Sequence, residues 1–186
     1  MITLGIDPGA NDGALVVLDM RQRPAVIVQA LAWSKAKRAS GDVIRVWSLH
    51  GHGVSDITPE MLPATIRAYI GHADKVDRAG RVGVEGNPPR MGGRAHGMNL
   101  GHVREIGRVC GWVEALTGLT PTTPAPAVWR RKVFDIAPGT DSKACDAMIL
   151  ALLPALVTLP PNVPAWAMKH LPDACGVALY AAMESR

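Results

Sequence analysis

Apolar residues run together at Ile2–Asp7 and again at Gly13–Asp19 (GALVVLD), with the turn formers Pro8, Gly9, Asn11 and Asp12 between them. That pattern predicts a β-hairpin with a buried first strand. Ala25–Leu31 predicts a third strand, Lys35 to Gly41 a polar connection, and Val43–Leu49 a further strand or sheet extension. After Ser55 to Ile57, Thr58 stands as an N-cap and Pro59 as the first helical residue of a helix to about Ile70. Arg81–Glu85 is a short apolar run ending in a carboxylate, and Asn87 to Gly97 is a loop of Gly, Pro and Arg. An amphipathic helix then runs from about Met98 to Thr117, closed by Gly118. Thr120–Thr123 reads as a short strand and Val128–Phe134 as a basic helical turn. Asp141 and Ser142 cap a helix to about Leu153, and Met168–Met183 is the last helix. A strand meander followed by alternating strands and helices predicts an α/β fold: a mixed central sheet with helices on both faces, in one domain spanning 1–186.

Composition narrows the class. The chain has 186 residues, 48% of them apolar, which excludes disorder and collagen-like repeats. Ala147 to Met168 carries no charge and is long enough to span a bilayer, but Pro154, Pro160, Pro161 and Pro164 interrupt it. A buried helix followed by a proline-rich loop is the expectation, with no membrane partner. The opening MITLGID lacks the cationic segment of a signal peptide, and the widely spaced Cys110, Cys145 and Cys175 form no disulfide framework. Both point to a cytoplasmic protein with core thiols. His50 and His52, in a Gly-rich loop without further ligands, carry no metal expectation.

Charge changes the picture more. The net charge is +4, and Arg78 to Lys132 holds nine cations against Glu85, Glu105 and Glu114. Such a segment suits a polyanion, although a solvated basic face would look the same. The five tryptophans show no stacking-platform pattern, and Trp129, beside the WRRK run, is the one to test for DNA contact.

Three positions carry candidate chemistry. Asp7 closes an apolar strand before Pro-Gly, and Glu85 closes another. Each alone fits a turn or strand-end acid. If the strands are neighbours, two converging carboxylates repel unless a cation lies between them. On the last helix His170 and Asp173 are three apart and share a face. Imidazole and carboxylate together can serve a divalent metal, hard ions such as Mg²⁺ preferring the oxygens.

In this order, GIDPG with GALVVLD, VGVEGN, NLGHVREIGRVCGWVEAL, WRRK, DSKACDAMILALL and HLPDACGVALYAAM resemble the RuvC family of Holliday-junction resolvases, within the ribonuclease H-like superfamily. The resemblance covers most of the chain except about Lys35–Ser55. It implies a ribonuclease H-like fold and a homodimer built partly on the long helix. There Gly97, Gly101, Gly107 and Gly111 either admit a second backbone or pack on the chain's own sheet. It also implies a metal-dependent endodeoxyribonuclease acting on four-way and other branched DNA. Asp7, Glu85, His170 and Asp173 become its metal-binding catalytic set, holding two Mg²⁺ ions (Mn²⁺ substituting) about 3.5–4 Å apart. Lys143 matches the cation near the scissile phosphate. Arg90, Arg94, Arg130, Arg131 and Lys132 are the expected DNA contacts, the register of Arg131 and Lys132 being open. His170 stands where the family more often has Asp, and is read as a ligand or a proton shuttle. The loop GNPPRMGGRAHG holds no aromatic wedge, which fits a phage-type member with broader branched-DNA selectivity. The rival readings are a non-catalytic branched-DNA-binding protein on the same fold, and a nuclease acting on RNA-containing hybrids.

Overall fold

The computed structural model describes residues 1–9, 11–39, 41–49, 53–77, 79–86 and 100–184, with backbone alone at 75–77 and 100. β1 (Ile2–Asp7), β2 (Asp12–Asp19), β3 (Ala25–Arg38), β4 (Gly41–Ser48) and β5 (Gly53–Ile57) form an antiparallel meander. A 3-10 turn at Pro59–Met61 leads into α1 (Leu62–Asp77), and β6 (Arg81–Val84) returns parallel to β1. α2 (Leu100–Thr117), α3 (Pro126–Phe134), α4 (Ser142–Leu156), β7 (Val157–Thr158) and α5 (Leu171–Met183) complete the order. The sheet runs β5-β4-β3-β2-β1-β6, and β7 pairs with β3 at Ala25 and Val26, beyond the end of β4.

Strand alternation builds two cores. On β2, Leu15 and Val17 join Leu4, Ile6, Trp33, Ile44 and Val46 against α1 and α2. Ala14, Val16 and Leu18 face the other way, against α3, α4 and α5. Helices therefore cover both faces, as the element order predicts.

The differences from the sequence reading have local causes. Lys35–Arg38 is strand, not a connection, because its backbone pairs with Gly41–Ile44 while its charged side chains reach solvent or Asp42 and Asp56. α4 continues past Pro154 to Leu156. It buries only the stripe Cys145, Ile149 and Leu153, leaving Met148, Leu150 and Leu152 exposed, so it is half-covered and not the buried helix expected. Cys145 and Cys175 are buried, whereas Cys110 is half-buried. Thr120–Thr123 is reduced to one bridge, Thr122 to Gly83. Gly107 and Gly111 do not pack on the sheet: a Cβ on either would meet nothing within 4 Å. Among the described residues, no helix is long and apolar enough to cross a membrane. Arg78, His50, His52, Gly97 and the loop at 87–99 lie outside the described residues.

α5 lies directly against the backbone of the sheet. A Cβ on Gly5 would lie 2.1 Å from Ala174 O and 2.7 Å from Ala178 N; one on Gly83 would lie 2.7 Å from Val177 O. Gly5 and Gly83 are register partners, so the helix backbone rests on two bare strand positions side by side. Gly5→Ala should destabilise the protein by about 3 kcal/mol, since the clash is with helix backbone that cannot rotate away. Gly107→Ala, in open space on α2, should instead gain up to about 1 kcal/mol from helix propensity. Urea denaturation of both variants checks the contrast.

Candidate active site

Side-chain parity brings the acids together. On β1, Leu4 and Ile6 face α1 and α2, so Thr3, Gly5 and Asp7 face α5. Glu85 lies two residues past Gly83 and shares its face. Its backbone N–H extends the β1–β6 ladder by donating to Ile6 O at 2.8 Å. Asp7 and Glu85 thus end neighbouring parallel strands on one face, with about 4.8 Å between the strands. α5 rests on that face, with His170 at its N-cap position and Asp173 in its first turn. His170 precedes the helix body, and a 3-10 turn at Ala167–Lys169 delivers it.

Short contacts join the group. His170 Nδ1–H donates to Asp7 Oδ2 at 2.8 Å. His170 Nε2 comes to 3.3 Å from Asp12 Oδ2, without hydrogen-bond geometry, and Lys169 Nζ lies 3.5 Å from that oxygen. Arg130 Nη2 lies 3.5 Å from Asp173 Oδ2. The side chains of Asp7, His170, Arg130 and Asp173 are only 14–21% exposed, so water screens these charges poorly. A groove of about 300 Å³, lined by Asp146, Leu150, Met168, Lys169 and Pro172, opens beside Asp173.

The electrostatics follow from crowding. Burial raises the Glu85 carboxyl well above its usual range, and the charges of Asp7 and Asp173 add to it; Arg130 and the Trp129 indole act the other way. Burial, then the Asp7 charge, lifts Asp173 to about 6 against the pull of Arg130. For His170, burial opposes protonation, but the hydrogen bond to Asp7 and the charges of Asp7 and Asp12 outweigh it and raise its pKa.

These residues fit a divalent cation. The donors are mainly carboxylate oxygens, as Mg²⁺ and Mn²⁺ prefer. Glu85 Oε2 is buried without a hydrogen-bond partner, and the charges of Asp7 and Asp173 raise the proton affinity of Glu85. Among the described residues, no three His, Cys, Asp or Glu side chains are already arranged around one ion position. Asp7 is instead turned onto His170 and Asp173 onto Arg130, the arrangement carboxylates take when their own chain supplies the neutralising charge.

The expected cations separate. Arg130 points into the site. Arg131 is exposed, and Lys132 pairs with Glu184 over the Tyr180 ring, at the far end of α5. Thirteen helical residues put that end about 20 Å from the acids. Lys143 sits on the exposed first turn of α4, with its backbone N–H capped by Asp141. Among the described residues no contact ties its side chain to the acids. Trp129 is 0% exposed and packs in the core, so it is not available to contact DNA; its basic sequence neighbours gave no sign of that burial. Asp12 reads in the sequence as a turn residue. The parity it shares with Ala14 on β2 was the available signal. Arg90 and Arg94 lie outside the described residues.

Asp173 gives a pH prediction. Its proton is held more tightly folded than unfolded, so metal-free stability falls as pH rises from about 4 to 6 and stays reduced above. Asp173→Asn should match the wild type near pH 4. At pH 8 in chelator it should exceed it by on the order of 2 kcal/mol, allowing for partial exposure. Denaturation curves at the two pH values check this, and a pH-independent difference refutes it.

No protein-family model matches the chain, and a search among curated proteins finds no match. Among solved structures it is similar to Thermus thermophilus RuvC. The likeness to RuvC in complex with a Holliday junction substrate has a TM-score of 0.56 at 19% identity, covering 100% of this chain and 95% of that one. A second RuvC structure from the same organism gives 0.51 at 19% identity, covering 100% and 98%. The fold of this chain is that of RuvC: a ribonuclease H-like mixed sheet with helices on both faces.

Proposed function

We propose that the protein is a divalent-metal-dependent, structure-selective endodeoxyribonuclease that resolves four-way (Holliday) and other branched DNA. It hydrolyses phosphodiester bonds to leave 5′-phosphate and 3′-hydroxyl ends. The observation that carries this reading is the convergence of Asp7, Glu85 and Asp173 from two strand ends and one helix start, where the charges of Asp7 and Asp173 oppose ionisation of Glu85 and that of Asp7 opposes ionisation of Asp173. The substrate class is carried over from the similar RuvC structure, whose complex holds a Holliday junction.

Asp7, Glu85, Asp173 and His170 would hold two Mg²⁺ ions, or Mn²⁺, and bound ions would supply an activated water and stabilise the departing 3′ oxygen. The chain's own groups do the rest. Arg130, beside Asp173, is placed to donate to a non-bridging phosphate oxygen and offset the charge growing there. Lys143, on the exposed first turn of α4, would add a second cation to meet a phosphate. His170 holds a proton at Nδ1 against Asp7, which places it either to ligate or to shuttle that proton. Arg90, Arg94 and Arg131 would contact the DNA backbone. The two-fold symmetry of a junction suits a homodimer through α2, whose Gly107 and Gly111 leave room for a second backbone. A cytoplasmic site of action, in a bacterial or phage-infected cell, belongs to the same proposal.

Cleavage mapping on mobile and immobile four-way junctions with Mg²⁺, Mn²⁺ or Ca²⁺ tests the reading. Paired nicks across the junction are expected with the first two ions. Asp7→Asn should lower cutting on the order of a thousandfold with junction binding retained, because it removes a charge shared by the whole acidic set. Arg130→Ala should lower it on the order of a hundredfold, whereas Lys132→Ala should stay within about twofold. Binding without metal-dependent cutting would favour the non-catalytic alternative, and cutting confined to RNA–DNA hybrids the other.

A further inference from the structure

Among the described residues, four buried polar atoms beside the acids are left unpaired: Glu85 Oε2, Trp129 Nε1, Arg130 Nε and His170 Nε2, among them a donor and an acceptor from adjoining segments. Trp129 Nε1 is a donor and Glu85 Oε2 an acceptor, and neither has a hydrogen-bond partner among the described residues. Orphaned buried groups are rare enough that each calls for a physical reason.

The backbone explains why they are neighbours. Glu85 is pinned to β1 through its N–H on Ile6 O, and the next N–H, of Gly86, donates to Pro124 O at 3.0 Å. A Cβ on Gly86 would lie 2.7 Å from Thr123 O, so the strand end and the lead into α3 touch directly. Trp129 follows within the first turn of α3, its N–H reaching back to Ala125 O. The indole also lowers the proton affinity of Glu85, as a donor facing that carboxylate does.

The ring itself cannot drift. Phe134 meets it edge-on, with centroids 6.1 Å apart at 70°. The Arg130 guanidinium stacks 5.2 Å from its centroid. On the third side Gly176 of α5 admits it so closely that a Cβ there would lie 2.4 Å from Cζ3. Trp129 therefore touches or faces the holders of the site's outer parts: Glu85 from β6, Arg130 from α3, and the helix that carries Asp173.

We infer that Trp129 is a positioning residue whose indole N–H closes onto Glu85 Oε2 when a divalent cation takes the other Glu85 oxygen. The inference rests on the reading of Asp7, Glu85 and Asp173 as a cation site. An outer donor of this kind orients a carboxylate ligand without touching the ion. The ring sets the position of the donor, and the stacked Arg130 shares that support, so the cation site and the phosphate-facing guanidinium keep one spacing.

Trp129→Phe keeps a ring and removes the donor. Mn²⁺ affinity, read from the free-ion EPR signal, should fall about tenfold in the folded variant. The Mg²⁺ concentration for half-maximal junction cutting should rise by a similar factor. In a Glu85→Gln background the same change should cost no further affinity, which a merely structural role would not produce. Unchanged Mn²⁺ affinity in Trp129→Phe, or equal losses in both backgrounds, overturns the inference. If Trp129→Phe does not fold, the wild-type protein labelled with ¹⁵N at its indoles decides. Mg²⁺ should move one indole N–H resonance downfield and slow its solvent exchange, and Glu85→Gln should abolish both effects. No indole response to Mg²⁺ refutes the proposal. Tight, Trp129-dependent Mn²⁺ binding with no cutting of branched DNA would leave this inference standing and remove the nuclease reading instead.

Discussion

The arrangement of this protein depends on α5 lying directly on the strands beneath it. Gly5 and Gly83, paired across β1 and β6, carry no side chains on that face, and Ala174, Val177 and Ala178 occupy the space. A larger residue at either strand position would lift the helix, and with it His170 and Asp173, away from Asp7 and Glu85. Nine residues of α5 are buried, so its place is held by apolar packing and the polar first turn is carried to where that packing puts it. The acidic cluster is a consequence of this packing, tied across it by the His170–Asp7 and Arg130–Asp173 contacts.

The cluster works against the fold. Burial and like charge both resist ionisation of Glu85 and Asp173. The chain answers with its own cations: Arg130 against Asp173, and His170 between Asp7 and Asp12. In the reading proposed above, a divalent ion would relieve the same repulsion more completely. Trp129 joins these parts from beneath, in contact with Arg130 and α5, and its indole lowers the proton affinity of Glu85.

Much of the fold was legible. The hairpin of β1 and β2, the acid-tipped β6, the capped α4 and the final helix stand within a few residues of where periodicity and turn residues put them. The failures share a cause. Lys35–Arg38 looks like a linker because its side chains are polar, yet a strand needs only a partner backbone, and β4 supplies one. β7 is two residues long and exists because β3 extends past the end of β4. No window of sequence holds that information.

What the sequence determined by itself is local: which residues alternate, where chains turn, and therefore that Asp7 and Glu85 end strands and that Asp173 opens a helix. Tertiary structure decided which of these ends meet. It sent Arg130 inward and Lys132 to the opposite end of α5, although they are two residues apart in one helix. It also buried Trp129 among basic neighbours that suggested a surface role. The physical reason is that side-chain direction follows from backbone geometry, whereas proximity between distant segments is set by how apolar surfaces close on one another.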